Sequence, residues 1–399
     1  MEIVLGIVLT IVAVTLFGLI FEMIMRQRDK RFLDVPPGER LDVGGRYVHV
    51  QRNSREKSAP SVILLSTVGG TSLDWQLVQP KVAEFAPVLS YDRAGYGWTE
   101  NIPGERTPER VVEELHEVLG AANMPAPYVI VGHGFGGLYA RAYQAEYPQE
   151  VVGMVLVDSS HPELVVENDH RQEVRRQRNI LRFRQIGILR QMLPRVVTWI
   201  KGLDKTAQQQ YLAVRMHDVP MTLREVVSIF RDGIDLPGDL GDLPMRVISR
   251  GLVDEIDFSH RWREYQEDLA TLSSRARHIK IQEGNHYLEF DQPDAVVAGI
   301  ESLVKQIRYG DDAVADELID EELTEEPGEV AAIDDDVIDN EVLAEEDIID
   351  DEFLTIDKIV ARRYGQKDVV KSTQPEDDLA EEDAIIGGED DSDNATSGN

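Results

Sequence analysis

The residues with the clearest chemical spacing stand at Gly132-His133-Gly134-Phe135-Gly136, where the apolar run Tyr128-Val129-Ile130-Val131 breaks into glycines before a helical pattern begins. A strand that turns sharply into a helix presents the central residue of the turn at its tip, and the G-x-S-x-G pattern uses this to expose a serine for nucleophilic attack. Here Gly134 holds the centre. Glycine carries no group that can form an acyl intermediate, so covalent catalysis from this position is excluded. The chain has no cysteine, which also excludes thiol catalysis, disulfides and cysteine-ligated metals. The tip of such a turn is strained backbone, which glycine occupies at little cost. His133 reads as a packed, hydrogen-bonded neighbour, and His161 and His170 as surface or hinge residues. No compact metal-binding spacing is present, and neither a metal nor a cofactor is expected.

The elements that must place this turn follow from periodicity. Arg40 to Arg52 alternates around Gly44-Gly45 and predicts a hairpin at a sheet edge. Ser61–Leu65, Val88–Tyr91, Tyr128–Val131, Val151–Val157 and Met245–Ser249 are short apolar runs typical of strands buried on both faces. Between them lie a glycine loop, Ser66 to Ser72, a helix expected from Trp75 to Phe85, a second from Thr107 to Leu119, and the helix that follows the turn. Alternating strands and helices predict a mostly parallel sheet covered on both faces. From about 161 to 240 the pattern is helical and rich in arginine, which predicts a helical cap. A helix around Trp262 to Leu272, a strand His278 to Gln282 and a helix Pro293 to Ile307 complete the domain.

Together these stretches resemble the α/β-hydrolase fold family, in its esterase, lactonase and haloperoxidase-like branch, over about residues 40–308. The resemblance rests on Val68-Gly69-Gly70-Thr71-Ser72-Leu73-Asp74-Trp75, Tyr91-Asp92-Arg93-Ala94-Gly95-Tyr96-Gly97-Trp98, the elbow Gly132 to Gly136, Leu156-Val157-Asp158-Ser159-Ser160-His161-Pro162, and Glu283-Gly284-Asn285-His286, all in order. It implies a Ser, Asp/Glu and His triad in that chain order with backbone N–H groups as an oxyanion hole. Carried over, His286 matches the base. Asp254 is the preferred acid and Asp158 the alternative. The N–H groups of Val68 and Phe135 match the oxyanion hole. Only the nucleophile does not carry over, because Gly134 stands there.

Both ends differ in composition from this domain. Ile3 to Phe21 is 19 residues without a charge, long enough as a helix to cross about 28 Å. Residues 1–25 are therefore expected to anchor the chain in a bilayer through 3–21, followed by a basic linker over 26–39. With Arg26, Arg28, Lys30 and Arg31 on its C-terminal side, the positive-inside rule puts the folded domain in the cytoplasm. After Gly310 there are 33 acids and 5 bases, so this tail carries −28 of the net −33. Residues 309–399 are expected to be disordered, a protein partner for this tail belongs to one alternative reading below, and such an acidic balance argues against nucleic acid. The arginines of the cap are read as a surface for anionic lipid or acidic substrates, with a solvated helix face as the plain alternative. The expected protein is a membrane-anchored hydrolase relative, inactive by the serine route, that keeps a pocket for a small apolar ester-like or carboxylic ligand between Phe135, Val68 and His286. Two alternatives stand beside it: a hydrolase of small esters or lactones in which His286 activates water, and a membrane-tethered platform using the acidic tail.

Overall fold

The computed structural model describes residues 2–53, 58–167, 170–234, 236–251, 257–282 and 284–314. Eight strands form one sheet: β1 (Glu39–Val43), β2 (Arg46–Asn53), β3 (Ser61–Leu65), β4 (Val88–Tyr91), β5 (Tyr128–His133), β6 (Val151–Val157), β7 (Met245–Arg250) and β8 (Ala276–Ile281). Their order is β1-β2-β4-β3-β5-β6-β7-β8, with β1 and β2 antiparallel at one edge and the remainder parallel. The edge hairpin turns on Gly44 and Gly45, both at positive φ, as a two-residue turn between right-twisted strands requires. At the centre, β3, β4 and β5 are buried along their whole length, which is why their sequences run apolar without alternation. Val62, Val129, Val155 and Ile248 on one face of the sheet pack against Ile300 and Leu303.

The helices are α1 (Glu2–Leu33), α2 (Gln79–Val82), α3 (Pro108–Ala121), α4 (Phe135–Glu146), α5 (Pro162–Glu167), α6 (His170–Gln185), α7 (Ile188–Val196), α8 (Lys205–Asp232), α9 (Asp257–Leu269), α10 (Leu288–Asp291) and α11 (Pro293–Tyr309). α3 starts where Thr107 caps the N–H of Arg110 and Pro108 occupies the first turn. Asp204 caps α8 in the same way. The helices α5 to α8 form the predicted cap, and His161, stacked on Tyr265 and 3.0 Å from Asp268, fixes where it leaves the sheet.

Two segments differ from expectation. The helix predicted from Trp75 to Phe85 is a single 3-10 turn, Ser72–Trp75, and the four-residue α2. Pro80 has no N–H to continue one helix through this stretch, so the second turn restarts at the proline. The linker expected over 26–39 is helical as far as Leu33. No proline or glycine interrupts α1 there, Arg26 pairs with Glu22 one turn earlier, and Pro36 and Pro37 follow its end. Ile3–Leu33 is long and apolar enough to cross a membrane. The expectations for Asp254 and for most of the acidic tail fall outside the described residues.

Candidate active site

The elbow is built by close backbone approach. A Cβ on Gly132 would stand 2.5 Å from the Gly136 carbonyl, and one on Gly136 would run into the Leu65 carbonyl, so strand β5 and helix α4 can cross only without side chains there. Gly134 lies between them at φ +53°, ψ −124°. Its N–H donates to Val157 O, and its carbonyl accepts from the Ser160 N–H and from Ser159 Oγ, at 3.0 and 3.1 Å. Neighbouring β6 thus holds the turn from both sides.

The same strand supplies the acid. Asp158 follows Val157 at the end of β6, fully buried and at φ +38°, a left-handed conformation that a short polar side chain tolerates better than most. One carboxylate oxygen accepts from Trp262 Nε1 at 2.9 Å and the Arg250 N–H at 3.3 Å, and the other lies 2.7 Å from His286 Nδ1. Burial alone would raise this carboxyl, but the Arg250 guanidinium and the hydrogen bonds from His286 and Trp262 outweigh it and hold Asp158 below the usual carboxylate range. Among the described residues, the acid that meets His286 is therefore Asp158, the alternative; the preferred Asp254 lies outside them. The place of Asp158 was encoded in the run that ends β6, beside the turn it serves.

His286 sits in the loop between β8 and α10. With Nδ1–H donated to Asp158, its Nε2 is left as the free base, and a Cβ built on Gly134 would lie 3.5 Å from it. Burial pushes the His286 imidazole below its ordinary 6.5, against the pull of Asp158, so it is neutral and able to accept a proton at pH 7. A base oriented by a carboxylate therefore faces an elbow that offers no hydroxyl.

Thr67 takes part of that space. Its Oγ1 accepts from the Phe135 N–H at 3.2 Å, so one of the two predicted oxyanion donors is already engaged. A side chain at position 134 would collide with this hydroxyl and stand 2.9 Å from Thr67 Cβ. The region expected to hold a ligand between Phe135, Val68 and His286 is therefore narrowed by Thr67. The residue lies within the glycine loop, but nothing in its type marked it. Arg93 holds the loop from beneath, donating to the Ser66 and Thr67 carbonyls at 2.8 Å each and pairing with Glu225 of α8 at 3.0 Å. Arg93 lies in a stretch that carried the resemblance. Glu225, more than a hundred residues on, had no local signal.

A second charged group lies across the turn. His133 Nε2 donates to the His286 carbonyl at 2.9 Å, while its Nδ1 stands 3.0 Å from Glu289 in an ion pair too poorly aligned to be a hydrogen bond. Burial pulls the imidazole down, but Glu289 and then Asp74 raise it to about 9. Asp74, fully buried, is pushed up to about 6 by burial, against Arg215. Tyr211 of α8 donates to Asp74 at 2.9 Å, and Arg215 donates to the Tyr287 hydroxyl at 3.3 Å. The cap therefore closes directly over the glycine loop. Among the described residues, no group of His, Asp and Glu is placed to hold a metal ion.

Comparison with known proteins agrees with the fold. The alpha/beta hydrolase family model matches residues 62–299, and the chain belongs to that family. The uncharacterized protein YqjL of Bacillus subtilis is 21% identical over 260 residues, which cover 64% of this chain and 87% of YqjL. An uncharacterized vacuolar membrane protein of Saccharomyces cerevisiae is 35% identical over 79 residues, but these are only 12% of its length and 20% of this chain. Among solved structures, a thermophilic esterase from Thermogutta terrifontis superposes with a TM-score of 0.51 at 18% identity, covering 67% of this chain and 98% of the esterase, a likeness of fold.

Proposed function

We propose that the protein is a membrane-anchored member of this family, of ester-hydrolase ancestry, that does not use the serine route and binds a small apolar ester-like or carboxylic ligand beneath its cap. The observation that carries this reading is the aim of His286 Nε2 at a Gly134 that bears no side chain, with Thr67 on the Phe135 N–H. Asp158 acts as the orienting acid, and Val68 and Phe135 are the oxyanion donors once Thr67 turns away. α1 holds the domain at the membrane, with the domain on the cytoplasmic side by the charge asymmetry around it. A second reading is favoured by the neutral state of His286. With Thr67 rotated, a water in the freed space would lose its proton to Nε2 and attack an ester directly, without a covalent intermediate.

The test is hydrolysis of short- and medium-chain p-nitrophenyl esters by the full chain in detergent, beside Thr67→Ala, Gly134→Ser and the double variant. The first reading expects turnover only from the double variant, because serine at 134 alone meets Thr67. Removing one triad member typically leaves on the order of 10³–10⁴ over water, so the restored rate should exceed that residue several hundredfold and vanish with His286→Ala. Turnover by Thr67→Ala alone, lost with His286→Ala, would replace this reading with water activation. The platform reading rests on the acidic tail, and deletion of 315–399 with unchanged partner recovery would remove it.

A further inference from the structure

Helix α1 does not leave the domain cleanly. From Ile3 to Phe17 its apolar side chains are bare, but from Gly18 onward the stripe Gly18, Phe21, Glu22, Met25, Asp29 and Phe32 is turned toward the cap. Fifteen bare residues cover about 22 Å at 1.5 Å each, short of the roughly 30 Å of hydrocarbon in a bilayer. On the opposite face the bare apolar surface runs on through Leu19, Ile20, Met23 and Ile24, 22 residues from Ile3, or about 33 Å. A bilayer that covers that face reaches the level of Glu22 to Ile24 and takes in Gly18 and Phe21. Whatever packs on them goes in as well. The partner is the turn between α6 and α7: the Ile186 carbonyl closes onto Gly18, Gly187 lies against the Phe21 ring, and the next residue, Ile188, is 40% exposed.

Just above this level the charges collect. Glu22 is paired with Arg26 and Arg190, and Asp29 with Arg190 at 2.8 Å. Arg28, Lys30 and Arg31 remain in excess, five cations against two acids when Arg26 and Arg190 are counted. Between α1 and the cap, at this height, is a groove of about 290 Å³, with Phe21, Met25, Leu193 and Met216 as apolar wall and Arg28 and Arg31 at its edge. An apolar slot that opens beside guanidinium groups at the depth of the headgroups fits one ligand chemistry, an acyl chain continuing into an anionic head.

We propose that this groove binds an anionic glycerophospholipid of the surrounding membrane, with the α6–α7 turn seated in the same leaflet. The lipid's phosphate meets Arg28 and Arg31, and part of one acyl chain lies along Met25 and Met216. α8 separates the groove from the candidate active site: Leu212, Ala213 and Met216 face the lipid while Tyr211 and Arg215 reach Asp74 and Tyr287. The proposal rests on α1 spanning the bilayer, not on any catalytic role.

The first measurement uses the full chain in nanodiscs of phosphatidylcholine and phosphatidylglycerol at 4:1, released into detergent and weighed by native mass spectrometry. Phosphatidylglycerol should be enriched about threefold or more over its one-fifth bulk share, fall to that share in Arg28→Gln/Arg31→Gln, and resist competition by glycerol 1-phosphate. Bulk proportions in the unaltered chain, or displacement by the soluble phosphate, would overturn the proposal. A second measurement does not depend on those variants folding. Because the chain has no cysteine, Ile188→Cys takes a single spin label, expected to be open to oxygen and shielded from an aqueous nickel relaxant in liposomes. A water-exposed label in a chain that resists alkaline carbonate extraction would sink the seat alone. Release by carbonate would remove the anchored reading with it.

Discussion

Asp158 and Asp74 are both fully buried within the same site, yet one is held below the ordinary carboxylate range and the other is pushed up to about 6. The difference lies in their partners. Asp158 receives Trp262, the Arg250 N–H and His286, and Arg250 adds a full charge at 3.5 Å. Asp74 receives Tyr211 on one oxygen, whereas Oδ2 has no hydrogen bond and Glu289 repels it. Burial alone says little about a carboxylate's role. The side of the site that surrounds Asp158 is fully satisfied and is suited to orient a base, while the side that surrounds Asp74 stores an uncompensated cost beneath the cap.

The largest effect that separates the two concerns turnover. In the Thr67→Ala/Gly134→Ser background, Asp158→Asn removes the charge that sets the His286 tautomer and stabilises its protonated form, and kcat should fall about a hundredfold or more, toward the rate left without the triad. Asp74→Asn in the same background should stay within about threefold, since nothing of Asp74 touches His286. Steady-state kinetics with one p-nitrophenyl ester decides it. Equal losses would mean that the site acts as one charge network and the contrast between its sides is false.

A smaller effect tests the brace between cap and sheet. Glu225 is buried, pairs with Arg93 and accepts from Tyr139, so Glu225→Ala leaves a buried guanidinium without its carboxylate. Breaking such a pair typically costs about 3–5 kcal/mol, visible as a lowered denaturant midpoint. A change below about 1 kcal/mol would show that Arg93 is satisfied by the Ser66 and Thr67 carbonyls alone.

How much of this could be read from the chain follows the same division. The elbow, the glycine loop and the strands were legible because close backbone approach demands glycine and burial on both faces demands apolar runs, and both are local. His286 and Asp158 were legible as candidates for their places after strands. The choice between Asp158 and Asp254 was not, because in the sequence each follows a strand; the structure places Asp158 on His286, and Asp254 lies outside the described residues. Thr67, Glu225 and Arg215 were missed for a related reason. Glu225 and Arg215 act where the cap meets the domain, and Thr67 through the Phe135 N–H of the elbow, 68 residues on, and neither residue type nor spacing records such contacts. The α1–cap groove is of the same kind: 3–21 announced a span, but nothing in the pattern said that Gly18 would lie under Ile186.

The smallest effect turns on pH. Burial raises the Asp74 carboxyl in the folded chain to about 6 from its ordinary 3.8, so the protonated form favours folding. Its contribution is fully present below 3.8 and is lost as pH rises through about 6, a shift of about two units and on the order of 3 kcal/mol at most. Asn at this position still accepts from Tyr211 but does not titrate. Asp74→Asn should therefore match the unaltered chain near pH 4 and gain several degrees in thermal midpoint by pH 7, where the parent holds a buried charge. Scanning both proteins at each pH also separates this from His133, whose raised value of about 9 places its own loss of stability between 6.5 and 9, and that loss should be smaller in Asp74→Asn because the Asp74 charge is one of its causes. A difference that stays flat from pH 4 to 7 would mean that Arg215 and His133 already compensate Asp74, and the two aspartates would then differ in hydrogen bonding but not in charge.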